Sequence, residues 1–400
     1  MGSEMCIRDS FIGEEEQQAA LEVIKSGSLC RYGPEESRVT TFENSITEKF
    51  NVEYALATNG GTSSLIIALY AAGIGLGDEV IVSAYTWIAT PASVVIANAV
   101  PIIAEIDNSL TIDPNDIEAK ITPRTKAIIP VHMIGVPSNM EAIKTIAKKH
   151  NLMVIEDCAQ AIGAGFKGAR LGTHGDIGCF SLQQSKIITT GEGGIVITNN
   201  EELHDRARMI HDGGNLWGVS KHTSAFFPGM NFRMDEVRGA IASVQLTRLD
   251  GFIENMRTRK YKLREAISDI DGIELRKVHD KNGDASTTMV FFLSTPDLAR
   301  KFGEVMGKYG VPAGPMYTHG NGDKHVYPGW DYILQKKTYH SNGLPYTHPT
   351  YGDIQYSDRM CPKTLDYLGR AICIGIGHEM SDETIDKVAN AIRSTAKDTL

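Results

Sequence analysis

The chain has 400 residues, of which 42% are apolar and 22% charged, so it is long enough to bury a large core and has the composition of a globular protein. Its formal net charge of -9 disfavours a nucleic-acid partner, and it contains no dense run of Lys and Arg. The six cysteines form no Cys-x-x-Cys pair, which argues against a zinc knuckle or a thioredoxin-type site and is typical of a reducing, cytoplasmic location.

The N-terminus gives no sign of a targeting segment. Residues 1–10 are polar and charged and lack the apolar core of a secretory signal. We predict that residues 1–12 are poorly ordered or artefactual and play no part in the fold. The weakly polar stretch 85–106 has the length of a membrane span, but two prolines and Glu105 interrupt it. We interpret it as a buried helix followed by a strand, so a membrane is not expected as a partner.

Short apolar runs alternate with helical patterns through the first two-thirds of the chain. The predicted strands are Glu79–Val82, Pro101–Ile106, Ala127–Val131, Leu152–Ile155 and Gly194–Thr198. Their successive apolar and β-branched residues are typical of strands buried on both faces. Segments Ser63–Ala72 and Met140–His150 have helical spacing. This alternation predicts an α/β fold whose large, mostly parallel sheet carries helices on both faces.

The pattern changes after about residue 230. The elements predicted there are one or two long helices, two strands and a closing helix, over Met234–Ile270, Met289–Ser294, Ala371–Ile376 and Ser381–Ala396. We therefore predict a large domain over 13–245 and a smaller α+β domain over 246–400. The stretch 314–356 is irregular and rich in Gly, Pro, Tyr and His, and such long loops are usually functional or mobile.

Lys186 lies between a strand-like segment and the glycine-rich turn 191–194. A lysine that forms a Schiff base must be held rigidly and must lose its proton easily. On position alone, a solvated loop lysine is the more common interpretation. The residues that precede Lys186 in the chain favour the interpretation as a Schiff-base lysine.

Asp157 follows the predicted strand 152–155, at the carboxyl end where open sheets bind ligands. Pyridoxal phosphate needs a carboxylate at its pyridine nitrogen, because the protonated ring accepts electrons. Asp157 suits that role, although an Asp that caps a turn is also common after strands. Gln160 is placed either to reach the phenolate oxygen of the cofactor or to lie on the surface.

The segment 58–63 places two glycines at the start of a predicted helix, where backbone N–H groups and the helix dipole favour a phosphate. No Walker lysine follows, and Gly-Thr before a helix is also an ordinary cap. Trp87 follows the strand 79–82 and is suited to stack on a planar ring or to fill the core. The order phosphate loop, aromatic residue, acid, lysine is that of a fold-type I pyridoxal-phosphate enzyme.

Several blocks resemble the DegT/StrS family of sugar aminotransferases, over nearly the whole chain after residue 12. These blocks are 32–34 with 42–43, Asn59–Leu65, Glu156–Ala161, 180–194 and Gly229–Met234. The resemblance implies a fold-type I aminotransferase with a smaller C-terminal domain and pyridoxal 5'-phosphate as cofactor. It also implies a homodimer whose active sites are shared between the subunits.

The same resemblance implies roles for individual residues. Lys186 would bind the cofactor covalently and shuttle a proton, and Asp157 would pair with the pyridinium. The other implied cofactor contacts are Gly61, Thr62, Ser63, Trp87, Gln160, Ser181 and, from the partner subunit, Asn231. The predicted substrate contacts are Tyr32, Gln184 and His319. We expect no metal, because the loop histidines His319, His325, His340 and His348 fit no metal motif. We expect them instead to line a polar substrate pocket or to face water.

The implied reaction moves an amino group from glutamate or glutamine to a keto sugar, a nucleotide-linked keto sugar or a cyclitol ketone. Relatives that have histidine in place of the lysine act as dehydratases, so Lys186 favours transamination. The run 183–185 is more similar to members that act on cyclitol ketones. Two alternatives stay open: a dehydratase or aromatising synthase with the same cofactor, and a pyridoxal-phosphate-binding regulator without catalysis.

Overall fold

The computed structural model describes residues 11–33, 36–214, 227–352 and 354–400. Within these residues the chain forms twelve strands: β1 Tyr54–Thr58, β2 Glu79–Ser83, β3 Val100–Ala104, β4 Thr125–Ile129, β5 Met153–Asp157, β6 Gly165–Phe166, β7 Ala169–Arg170, β8 Ile177–Ser181, β9 Gly194–Thr198, β10 Glu274–Leu275, β11 Thr288–Phe292 and β12 Ala371–Gly375. The same residues form twelve α-helices: α1 Glu14–Ser26, α2 Arg38–Phe50, α3 Gly61–Ala71, α4 Ala89–Ile96, α5 Pro114–Lys120, α6 Met140–His150, α7 Glu201–His211, α8 Glu236–Ala266, α9 Pro296–Lys308, α10 Asp331–Leu334, α11 Pro362–Arg370 and α12 Asp382–Thr399.

The central sheet has seven strands among the described residues, in the order β1-β9-β8-β5-β4-β2-β3. Strands β3, β2, β4, β5 and β8 are parallel neighbours, and β9 lies antiparallel between β8 and β1. The predicted mostly parallel α/β sheet is therefore confirmed. Because β1, β2, β5 and β8 all run in one direction, the residues that follow them meet at one edge of the sheet.

Both faces of the sheet are covered, as the apolar strand sequences predicted. In β2, Val80 and Val82 pack on the face that carries α3 and α4, whereas Ile81 packs on the opposite face with α2, α6 and α8. All three side chains are fully buried. Burial of an aliphatic side chain of this size stabilises a fold by roughly 1.5–3 kcal/mol. The strands therefore fix a rigid platform beneath the residues at their carboxyl ends.

The predicted bounds of β9 and α6 are those observed, and the other predicted strands are shifted by one or two residues. The predicted helices over 234–270 form one helix of 31 residues, α8. Position 245, where we expected a domain boundary, lies inside α8. The division into two domains therefore stays a prediction.

The C-terminal part of the chain contains an antiparallel sheet of β10, β11 and β12, packed against α8 and α9, and α12 packs on these two helices. Arg276, which is fully buried, joins this part to the central sheet. Its Nε donates to the carbonyl of Ser109 at 2.6 Å, and its Nη2 donates to the carbonyl of Met133 at 3.0 Å. Lys260 and Asp284 form a buried ion pair nearby.

The described residues of the 314–356 stretch, although irregular, pack against the part of the chain that forms the central sheet. Trp330 is fully buried and donates from Nε1 to the carbonyl of Lys324 at 2.9 Å. The N–H of Tyr327 donates to the carbonyl of Ala84, just beyond β2, at 3.0 Å. This loop therefore lies against the edge of the sheet where the site residues meet.

Residues 1–10 lie outside the described part of the chain, as does Pro34. Phe11 is held by a hydrogen bond from Gln245 to its carbonyl at 2.7 Å. In the part of the chain that the structure describes, every helix is too short or too polar to cross a lipid bilayer.

Candidate active site

A cavity of about 470 Å³ opens at the shared carboxyl edge of β1, β2, β5 and β8. Its described lining contains seven of the residues that the sequence singled out, namely Gly61, Thr62, Trp87, Asp157, Gln160, Ser181 and Lys186. It also contains Thr86 and Thr90, which the sequence did not single out, together with Gln183, Ser185 and Glu192 of the 180–194 block and His325 of the 314–356 loop. Residues far apart in the chain thus form one site.

Lys186 belongs to a turn that is braced by its own backbone. The N–H of Lys186 donates to the carbonyl of Gln183 at 2.9 Å, and the N–H of Gln184 donates to the carbonyl of Gly191 at 2.8 Å. Gln183 also accepts from Ser185 through its side chain. The segment after β8 is therefore folded back on itself, which gives the lysine the fixed position that covalent chemistry requires.

The turn from β1 into α3 brings its backbone against β8. A Cβ added at Gly61 would lie 2.7 Å from the Cβ of Ser181, so only glycine allows this approach. The hydroxyls of Thr58 and Ser64 lie 2.8 Å apart and fix the turn. The N-terminus of α3 and the Ser181 hydroxyl together line an edge of the cavity that is suited to an anion.

Asp157 ends β5 and points its carboxylate into the cavity from a buried position. Its Oδ1 accepts from the N–H of Ala159 at 3.0 Å, and its Oδ2 accepts from the hydroxyl of Thr90 at 2.8 Å. Burial raises the pKa of Asp157, although these two donors and the charge of Lys186 act in the opposite direction. A cationic group beside Asp157 would therefore be bound favourably.

Glu156, next to Asp157, is fully buried and points away from the cavity. It accepts hydrogen bonds from His132 at 3.0 Å and from the backbone N–H groups of Gly172, His174 and Gly175 at 2.6–2.9 Å. Burial acts to raise the pKa of Glu156, but His132 and the backbone donors lower it below its ordinary value. The Glu156 carboxylate therefore links the end of β5 to His132, in the segment between β4 and β5, and to the segment 172–175.

Gln160 has its side-chain oxygen already engaged, because Oε1 accepts from the N–H of Ile134 at 2.9 Å. Ile134 has a positive φ of 48°, and its carbonyl accepts from the hydroxyl of Thr287 at 3.1 Å. The Gln160 amide is therefore oriented, and its NH₂ group is left to donate into the cavity.

Trp87 also lines the cavity, and 48% of its surface is exposed. Its ring centroid lies 4.8 Å from that of His325, with 53° between the ring planes. A large exposed aromatic face beside a lysine and a buried carboxylate is suited to pack on a planar ligand.

Five predicted contacts lie outside the described lining. The Ser63 hydroxyl donates to Asn59 at 2.6 Å, and the Tyr32 hydroxyl donates to Asp212 at 2.6 Å. His319 lies 3.3 Å from the Tyr317 hydroxyl. The other two, Gln184 and Asn231, are exposed. These five assignments stay predictions.

Thr90 is the main residue that sequence reasoning missed, whereas His325 is one of the loop histidines that we expected to line a polar substrate pocket or to face water. Thr90 lies inside a helix of apolar sequence, and its only signal is spacing: Thr86 and Thr90 are four residues apart and their hydroxyls lie 2.8 Å apart. His325 lies in a loop with several other histidines, and no sequence pattern distinguishes it from His319.

The residues present suit pyridoxal phosphate. Gly61 lets the N-terminus of α3 pack beside the Ser181 hydroxyl, where a phosphate would be favoured, Asp157 offers a buried carboxylate for a ring nitrogen, and Lys186 offers an amine in the same cavity. The fold and the site together define the class of fold-type I pyridoxal-phosphate enzymes.

The profile of the DegT/DnrJ/EryC1/StrS aminotransferase family matches residues 10–344, and the chain belongs to this family. The predicted family, aminotransferase activity and cofactor are thereby confirmed.

Named relatives and a solved structure agree with this membership. The chain is 32% identical over 400 residues to the spore coat polysaccharide biosynthesis protein SpsC of Bacillus subtilis (strain 168), spanning 97% of this chain and 96% of the relative. It is 33% identical over 316 residues to the L-glutamine:2-deoxy-scyllo-inosose aminotransferase of Streptomyces kanamyceticus, spanning 74% and 73%. The crystal structure of NtdA from Bacillus subtilis with bound cofactor PMP superimposes with a TM-score of 0.77 at 26% identity, spanning 96% of this chain and 83% of NtdA.

Proposed function

We propose that this aminotransferase moves an amino group from glutamate or glutamine to a cyclic ketone: a keto sugar, a nucleotide-linked keto sugar or a cyclitol ketone. The observation that carries the proposal is that Lys186 and Asp157 lie in one cavity with the Gly61–Ser181 contact. The relative from Streptomyces kanamyceticus supports the choice of substrates, because its name states a glutamine donor and an inosose acceptor.

The proposed roles combine the family membership of the chain with the position of each residue. Lys186 would hold the cofactor covalently and would move a proton to and from the substrate carbon. Asp157 pairs with the ring nitrogen, because burial makes an unpaired carboxylate unfavourable there. When bound, the cofactor supplies the electron sink that the amino exchange needs.

The remaining cofactor contacts would position and enclose the ring. Gln160 donates from its NH₂ group, since its oxygen is taken by Ile134. Trp87 packs on the ring face. The phosphate would be held by Gly61, Thr62, Ser63 and Ser181.

We further propose a homodimer in the cytoplasm, with Asn231 of each chain reaching the phosphate site of its partner. The large domain would end near residue 245 and the small domain would follow it. The predicted substrate contacts Tyr32, Gln184 and His319 belong to this proposal.

The experiment incubates the purified protein with pyridoxal phosphate, glutamine or glutamate, and a panel of keto sugars and inososes. Mass spectrometry of the product is the readout. The expected product carries an amine where the acceptor had its ketone. A product that has instead lost water would favour the dehydratase or aromatising synthase. Failure of every amino donor to react would contradict the proposed function.

A further inference from the structure

The 314–356 loop brings one histidine, His325, into the lining of the cavity. Its carbonyl accepts from the N–H of Thr86 at 2.9 Å, and the next residue, Val326, forms an antiparallel bridge with Tyr85. His325 is 8% exposed. The fold therefore fixes this histidine beside the segment that carries Trp87.

Two contacts orient the imidazole ring of His325. Its Nδ1 lies 3.0 Å from the Oδ1 of Asp323, and its ring centroid lies 4.8 Å from that of Trp87. A neutral histidine that donates Nδ1–H to a carboxylate accepts hydrogen bonds at Nε2, whereas the imidazolium donates from it. Among the described residues, Nε2 has no hydrogen-bond partner. It is therefore available to a ligand in the cavity.

We propose that His325 is a specificity-determining residue that binds a ring hydroxyl of the ketone acceptor through Nε2, with Asp323 as its positioning residue. This inference rests on the proposed function, because it assumes a hydroxylated cyclic acceptor. His325 and Lys186 line one cavity, so a ring whose carbonyl faces the lysine presents hydroxyls to the cavity walls. A site built to bind a hydroxyl rejects analogues that leave its polar group unpaired.

The surrounding charges favour a neutral hydroxyl over the carboxylate of the amino donor as the partner of His325. Asp323 lies against the imidazole, and Glu192 also lines the cavity. The Asp323 carboxylate, 3.0 Å from Nδ1, disfavours an anion at the imidazole, whereas a neutral hydroxyl is not repelled. The hydroxyl has two sources, a free cyclitol ketone and the sugar ring of a nucleotide-linked ketone.

The test compares His325→Phe and His325→Gln in the full-length enzyme loaded with pyridoxal phosphate. Phenylalanine keeps an aromatic ring against Trp87 and removes the hydrogen bond, and glutamine keeps a polar end. His150→Phe is the matched control, since His150 lies on α6 and pairs with Glu118, away from the cavity. The donor half-reaction with glutamine is measured separately from amination of scyllo-inosose and of a GDP-linked keto sugar.

We expect His325→Phe to raise KM for the acceptor roughly ten-fold with kcat changed by less than about three-fold. His325→Gln should restore part of the loss, and the donor half-reaction and the cofactor absorbance should match wild type. The ketone that shows the effect identifies the source of the hydroxyl.

An unchanged acceptor KM in His325→Phe would overturn the inference, as would an equal loss in the donor half-reaction, which a merely structural role would produce. A wild-type enzyme that accepts the amino group but aminates neither ketone would also overturn it. A wild-type enzyme that takes no amino group from either donor would instead contradict the proposed function.

Discussion

Gly61 at the start of α3 packs so closely on Ser181 at the end of β8 that an added Cβ would lie 2.7 Å from the Ser181 Cβ and 3.0 Å from its Oγ. Gly61→Ala therefore forces the phosphate edge of the site apart. We expect the dissociation constant for pyridoxal phosphate to rise at least ten-fold, about 1.4 kcal/mol. Titration of the apoprotein with the cofactor measures this.

A glycine outside the cavity lining provides the control for this substitution. A Cβ at Gly307, which is exposed on α9, would meet no atom within 4 Å. Gly307→Ala should bind the cofactor as wild type does. Equal affinities for Gly61→Ala and Gly307→Ala would contradict the proposed phosphate edge.

Asp157 should make cofactor binding depend on pH. Burial raises the pKa of Asp157 in the free protein, and pairing with a ring cation would lower it. The sign follows from linkage: affinity is full above the raised pKa and is lost as pH falls through it. Asp157→Asn should weaken binding and remove this pH dependence, which titrations across the acidic range would show.

A milder substitution separates the charge of Asp157 from its orientation. Thr90→Val removes the hydroxyl that donates to Oδ2 at 2.8 Å and keeps the shape of the side chain. We expect it to weaken cofactor binding by roughly five-fold while the pH dependence remains. A Thr90→Val protein without pH dependence would point to a different titrating group.

Glu156 should contribute to stability rather than to chemistry, because its carboxylate faces His132 and three backbone N–H groups. The Glu156 carboxylate accepts four hydrogen bonds. In Glu156→Gln, an NH₂ group replaces one carboxylate oxygen and faces donors that it cannot accept from. We expect the free energy of unfolding to fall by about 3 kcal/mol. Urea denaturation measures this, with the exposed Glu118→Gln as control. A Glu156→Gln protein that unfolds at the same urea concentration as wild type would contradict this stabilising role of Glu156.

His211 should make the fold sensitive to acid. Burial, together with the charges of Arg31 and Arg208, lowers the pKa of His211 to about 3. The unfolded chain binds this proton near pH 6.5, so stability is lost as pH falls from about 6.5 to about 3, by up to roughly 1.4 kcal/mol per pH unit. His211→Gln should flatten this slope in urea denaturation at several pH values. An unchanged slope would exclude His211 as its source.

The sheet and the centre of the site were predictable because local patterns determine them. The apolar run 194–198 and the helical spacing of 140–150 predicted β9 and α6 to the residue. Asp157 and Gly61 were predictable for the same reason, since each stands at the end of a strand or the start of a helix. The few residues around such a position are enough to predict where it lies in the fold.

The rest of the site depends on contacts between distant segments. His325 reaches the cavity only because the 314–356 loop pairs with the chain after β2 and is anchored by the buried Trp330. No local pattern distinguishes it from His319. The single helix α8 was also uncertain from sequence, because its polar faces allow one helix or two.

The absorbance spectrum of the purified protein with pyridoxal phosphate tests the central claim most directly. Wild type should show the visible band of lysine-bound cofactor, and glutamine or glutamate should bleach it as the amino group is taken up. Lys186→Ala should lack the band, whereas Lys148→Ala, at an exposed position on α6, should keep it. A normal, amino-acid-sensitive band in Lys186→Ala would contradict the account.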